Sequence, residues 1–101
     1  MALVTYSDRA IRDFERIYDF LAAEDRVLAA TTVAAIDEAV SVLARHPLIG
    51  RPVEHSLHEL VISRGKSGYV ALYRYLETVD VVLILALRHQ REAGYEAPIE
   101  P

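Results

Sequence analysis

Three strand-like stretches crowd the second half of this chain: LHELVIS at 57–63, YVALYRYL at 69–76 and DVVLILALR at 80–88, separated only by SRGKSG and ETV. Connections that short make neighbouring strands run antiparallel as hairpins. The last two stretches are apolar at both parities. Tyr69, Ala71, Tyr73 and Tyr75 share one face, and Val70, Leu72 and Leu76 share the other. A sheet apolar on both faces needs cover on both.

Cover for one face lies upstream. LVTY at 3–6 reads as a short opening strand, after which Ser7 can cap a helix and Asp8 suits its positive end. Ala10, Phe14, Ile17, Tyr18 and Leu21 then fall at helical spacing, and Arg9, Arg12, Asp13, Glu15, Arg16 and Asp19 fill most of the remaining surface. A second helical period places Leu28, Thr32, Ala35, Ile36, Ala39, Val40 and Leu43 on one side, until Pro47 stops it. Its alanines let two backbones approach as an antiparallel pair. The segment PLIGRPVEHS has no sustained period and reads as a loop from helices to sheet.

The pattern predicts an α+β fold: an antiparallel helix hairpin packed on a small, twisted, mainly antiparallel sheet of about four strands, in the order β-α-α-β-β-β. A length of 101 residues fits one domain, taken as 1–96 with 97–101 as a flexible tail. Two helices cover one sheet face. The surplus face carrying Val70, Leu72 and Leu76 is therefore expected to meet a bound protein.

Composition narrows the function. The formal charge of -4 argues against a generic nucleic-acid binder, so any phosphate contact must be local. Cysteine is absent, and His46, His55, His58 and His89 show no zinc-ligand spacing, so neither a metal nor a cofactor is expected. MALVTYSDRA lacks the layout of a secretory signal, and the run VVLILAL is too short to span a membrane; a cytoplasmic protein is expected.

Basic residues gather late. Arg74 breaks the apolar parity of its strand and needs either a carboxylate partner or an anion. If the last two strands pair, Arg74 converges with Arg88, His89, Arg91 and Tyr95 at one end of the sheet. His89 and Tyr95 could move protons while Arg74 and Arg88 hold a phosphate, as cleavage of RNA by its own 2′-hydroxyl requires. The plainer reading makes His89 and Tyr95 structural. Arg64 and Lys66, in SRGKSG, read first as solvated turn residues and are kept with Arg88 and Arg91 as contacts to an anion or target.

The order and spacing of YSDRAIRDFERIYDFLA, LARHPLIGRPV, HELVIS, GYVALYRY and VVLILALRHQREAGY resemble the RelE/ParE superfamily of bacterial toxins from type II toxin–antitoxin modules, over nearly the whole chain. The resemblance implies a helix pair on a twisted sheet wrapped by a cognate antitoxin. HPLIGRPV and the helical hairpin look most like the ParE, or plasmid-stabilisation, branch, which is associated with inhibition of DNA gyrase. The RelE branch, of ribosome-dependent mRNA endonucleases, is similar at Arg74, His89 and Tyr95, although this chain has no lysine-rich strand of the RelE kind. A third implied role is a non-toxic antitoxin-binding module that helps to repress its own operon.

Overall fold

A computed structural model describes residues 1–64 and 67–91. Strand β1 (Leu3–Tyr6) leads into helix α1 (Asp8–Ala22), helix α2 (Arg26–Ser41) and a 3-10 turn at Val42–Ala44. Strands β2 (Arg51–Val53), β3 (Leu57–Arg64), β4 (Ser67–Leu76) and β5 (Val81–His89) follow. They form one five-stranded sheet in the order β1-β5-β4-β3-β2. β1 runs parallel to β5, and the other pairings are antiparallel.

Local chemistry sets the helix ends. Ser7 is extended and its Oγ accepts the Ala10 N–H at 3.1 Å, satisfying an amide with no intrahelical partner. Asp25 does the same for Leu28 at 3.0 Å, so the polar AED is a capped corner between helices. From α1, Ala10 and Ile17 are buried with Phe14 and Leu21 packed beside them; from α2, Ala29, Thr32, Ile36 and Val40 are buried. Tyr18 and Leu28, both placed on the inward stripes by their spacing, are instead 38% and 45% exposed. The run Arg26–Ala44 is long and apolar enough to cross a membrane by length and composition, but here it packs Ile36, Val40 and Leu43 into the main core.

The helices cover the sheet face that carries Tyr69, Ala71, Tyr73, Val82, Ile84 and Leu87, and this is the main core. Each large side chain fully buried there contributes roughly 1.5–3 kcal/mol. On β5 the register jumps, with Leu72 opposite Ala86 but Tyr73 opposite Ile84. Leu85 is thus an extra residue, and Leu85 and Ala86 both join a second cluster with Leu57 and Leu72, flanked by Val53 and Leu83. A bulge of this kind bends the strand and increases its twist.

Two expectations change. The sheet has five strands, because Arg51–Val53, inside the segment read as loop, pairs with Leu57–Glu59. Three residues including a proline are too short to show a period, and Pro52 is tolerated because β2 is an edge strand. The far face also seals itself in part: Val70 is 1% and Leu72 4% exposed, so neither offers an open surface to a partner. Leu76 remains 37% exposed, in register with Val81 and, through it, with the 65%-exposed Leu3.

Candidate functional site

Beyond Tyr6, β1 no longer accompanies β5, and α1 finishes the edge with side chains. Ser7 Oγ donates to the Leu85 carbonyl at 3.1 Å, the Asp13 carboxylate accepts the Leu87 N–H at 2.9 Å, and Arg16 donates to the Leu87 carbonyl at 3.3 Å. Asp13 stands 3.9 Å from both Arg9 and Arg16. These contacts fix α1 to the outer end of β5, where the basic sequence cluster begins.

That cluster divides. Arg88 pairs with Val70 on the face away from the helices, whereas His89 pairs with Tyr69 on the helix face. Arg88 stands 4.0 Å from Glu59, which also accepts from Arg51 at 2.9 Å, and Arg88 donates to the carbonyls of His89 and Gln90 at 3.3 and 3.4 Å. The Arg88 side chain is only 15% exposed and is held inside the fold. A nearly buried Glu59 between two arginines suits the rule that buried charges are paired.

Arg74 does not join His89. It is opposite Leu83, five positions along β4 from the Tyr69–His89 pair, or about 17 Å at ordinary strand rise. Its parity is that of Val70 and Leu72, so the two residues take opposite faces of the sheet. Its guanidinium donates to the His55 carbonyl at 3.0 Å, in a turn where His55 and Ser56 have φ of 63° and 60°. The expected convergence assumed that side chains near one strand end share a face; alternation places them apart.

His89 contributes to a cleft of about 630 Å³ between the last turns of α1 and the end of the sheet. Ile17, Phe20, Leu21 and Tyr69 give it apolar walls, and Arg16, His89 and Arg91 its polar groups. The Tyr69 and His89 rings meet edge to face at 5.2 Å. The His89 Nδ1 accepts the Arg91 N–H at 3.0 Å, fixing the ring over the strand end. Phe20 is 80% exposed. Sequence reading missed Phe20 and Arg16 because both stand off the inward stripe of α1; the available signal was a large aromatic among the charged residues of a helix surface.

The loop motif acquires a structural reason. The Gly50 N–H donates to the hydroxyl of the fully buried Tyr73 at 2.9 Å, and a Cβ on Gly50 would lie 2.7 Å from both that hydroxyl and the Glu59 carbonyl. Burial raises the Tyr73 pKa, a shift the Gly50 hydrogen bond partly opposes. Arg64 is placed by its backbone at the end of β3. Lys66, Tyr95 and the expected tail at 97–101 lie outside the described residues. Among the described residues no group of three or more potential metal ligands occurs.

Comparison with known proteins agrees with this architecture. Residues 4–94 match the family described as ParE toxin of type II toxin-antitoxin system, parDE. Toxin RelE1 of Caulobacter vibrioides is 37% identical over 73 residues, covering 72% of this chain and 78% of that protein. The toxin–antitoxin complex RelBE2 of Mycobacterium tuberculosis contains a chain similar to this one, with 27% identity, a TM-score of 0.62 and coverage of 88% of this chain and 98% of that one. A chain of the chromosomal ParDE system of P. aeruginosa shares the fold with a TM-score of 0.74 at 24% identity, over 88% of this chain and 96% of that one.

Proposed function

The chain belongs to the ParE toxin family of type II toxin–antitoxin systems, and on that premise we propose that it arrests growth in the cytoplasm by binding DNA gyrase and is neutralised by a cognate antitoxin. The observation that carries the choice of target is the separation of Arg74 from His89. Phosphodiester cleavage needs a proton-transfer group and a phosphate-holding cation on one scissile bond. Here the two candidates lie on opposite sheet faces, and Arg88 is engaged with Glu59. Binding to a protein target requires no such convergence.

The test is a supercoiling assay with purified toxin. Gyrase inhibition at concentrations comparable to those that stop growth is expected, and full gyrase activity well above them would defeat the reading. Primer extension on messages from toxin-expressing cells examines the ribosome-dependent endonuclease alternative, for which new cleavage ends would be the signature. Absence of growth arrest on induction would instead favour the non-toxic, operon-regulating role.

A further inference from the structure

We propose that the turn between α2 and β2 is the surface that docks on the target protein, with Leu48 and Ile49 as anchors inserted into an apolar pocket of gyrase whose rim carries carboxylates. The inference rests on the gyrase reading and gives that contact its place and its chemistry.

The turn is built to hold its shape. Pro47 and Leu48 are the central residues of a β-turn closed by the Ile49 N–H, which donates to the His46 carbonyl at 3.1 Å, and proline presets the backbone at the position it takes there. Upstream, the N–H groups of Arg45 and His46 both donate to the Val42 carbonyl, at 3.1 and 3.0 Å. Downstream, the Gly50 N–H donates to the hydroxyl of the buried Tyr73 at 2.9 Å. A segment fixed at both ends has little conformational freedom left to lose on binding.

On this frame two adjacent large aliphatic side chains stand in water. Leu48 is 61% and Ile49 57% exposed, so neither is spent on the core. Residues chosen only to make a turn are glycine, proline, asparagine, aspartate or serine. With Arg45, His46 and Pro47 the pair lines an open hollow of about 420 Å³. An apolar tip held rigid on a polar surface is the shape of an anchor that fills a pocket on a partner.

The neighbours of the pair select the occupant. None of the five residues lining the hollow carries a carboxylate, although the chain as a whole has a formal charge of -4. Arg45 is exposed beside the apolar tip, so an acidic rim is attracted here. A second copy fits badly, because a two-fold contact through this turn presents the same basic flank from both sides and presses two acidic proteins together. A nucleic acid needs a row of cations and rings on which its bases stack. The hollow offers aliphatic side chains instead, and the nearby Arg51 is engaged with Glu59 at 2.9 Å. A protein pocket that is apolar within and acidic at its edge meets both requirements.

The experiment measures binding of the full chain to purified gyrase and inhibition of supercoiling. Leu48→Ser, Ile49→Ser and Arg45→Glu are compared with Phe20→Ser and Val27→Ser, which remove exposed apolar side chains elsewhere. All five positions are exposed, so their replacement leaves the core intact; circular dichroism and thermal unfolding verify this. Each turn variant is expected to weaken binding and inhibition about tenfold or more, while each control stays within about twofold. Leu48→Met keeps an apolar anchor and should act as wild type, and the Arg45→Glu loss should shrink as salt rises. A loss confined to the controls overturns the proposal, as does binding of a short RNA, or self-association, that the turn variants abolish while gyrase binding persists. A wild-type chain that inhibits gyrase, with turn variants equally potent, overturns the docking surface and leaves the gyrase reading standing. A wild-type chain without effect on gyrase defeats that reading and the docking surface with it.

Discussion

The Asp13 carboxylate, on the second turn of α1, accepts the Leu87 N–H at 2.9 Å across 74 residues of sequence. It occupies the position a sixth strand would take against β5 once β1 has ended, and so protects an edge that could otherwise recruit another chain. Asp13→Ala should leave this amide without its acceptor and destabilise the protein by about 1–3 kcal/mol. Asp13→Asn retains an acceptor oxygen and should cost clearly less. Urea unfolding of the two variants tests the ordering; equal losses would mean that charge, through Arg9 and Arg16, matters more than the cap.

Gly50 and Tyr73 make the second test. A methyl group on Gly50 would meet the Glu59 carbonyl, a backbone atom that cannot swing aside, at 2.7 Å. Gly50→Ala is therefore expected to destabilise by about 1–3 kcal/mol through overpacking. Tyr73→Phe leaves the Gly50 N–H unsatisfied and should cost about 1–3 kcal/mol for a different reason. Because the residues touch, the double variant should lose less than the sum of the two, as a double-mutant cycle in urea would show.

The same loop shows what sequence can carry. Long apolar runs revealed β3, β4 and β5, and the 3.6-residue period revealed both helices, since burial of a repeating face leaves a repeating signature. β2 left none, being three residues long with Pro52 at its centre. The bulge at Leu85 was invisible for the opposite reason: where both faces are apolar, shifting the alternation by one residue changes nothing in the pattern. The bulged Leu85 packs with Leu72 on the far face, where Leu72 and Val70, assigned to a partner on the premise of a bare surface, are both buried within the chain. The pairing of Arg51 and Arg88 with Glu59 was equally unreadable, because it joins three strands whose register the sequence does not print.

Alkaline pH should destabilise the protein through phenols that the fold holds in their protonated form. Burial, the 2.6 Å hydrogen bond to Asp37 and that carboxylate's charge raise the Tyr6 pKa above the ordinary 10.0. For a raised pKa the stabilisation is complete below the unfolded value and is lost as pH rises through the folded one. Stability should therefore hold up to about pH 10 and decline above it. Tyr6→Phe should flatten the decline without abolishing it, since burial also raises Tyr73. Urea midpoints measured across this range decide; an unchanged slope in Tyr6→Phe would remove Tyr6 as the source.

The separation of Arg74 and His89 yields the functional prediction. A general acid or base contributes about 10²–10⁴ in rate, so His89→Ala would nearly abolish toxicity if His89 moved a proton on RNA. Under the gyrase reading the imidazole has no such task. It meets the Tyr69 ring edge to face and accepts the Arg91 N–H. Growth arrest by His89→Ala, expressed without antitoxin, should then stay within about threefold of wild type, a change of less than about 1 kcal/mol on the transition-state scale. Arg74→Ala removes the hydrogen bond to the His55 carbonyl and should lower thermal stability more than toxicity. The paired outcomes are diagnostic. Loss of toxicity in both variants, at unchanged protein level, would mean that the two faces of the sheet act on one target despite their separation, and the gyrase reading would have to yield to message cleavage.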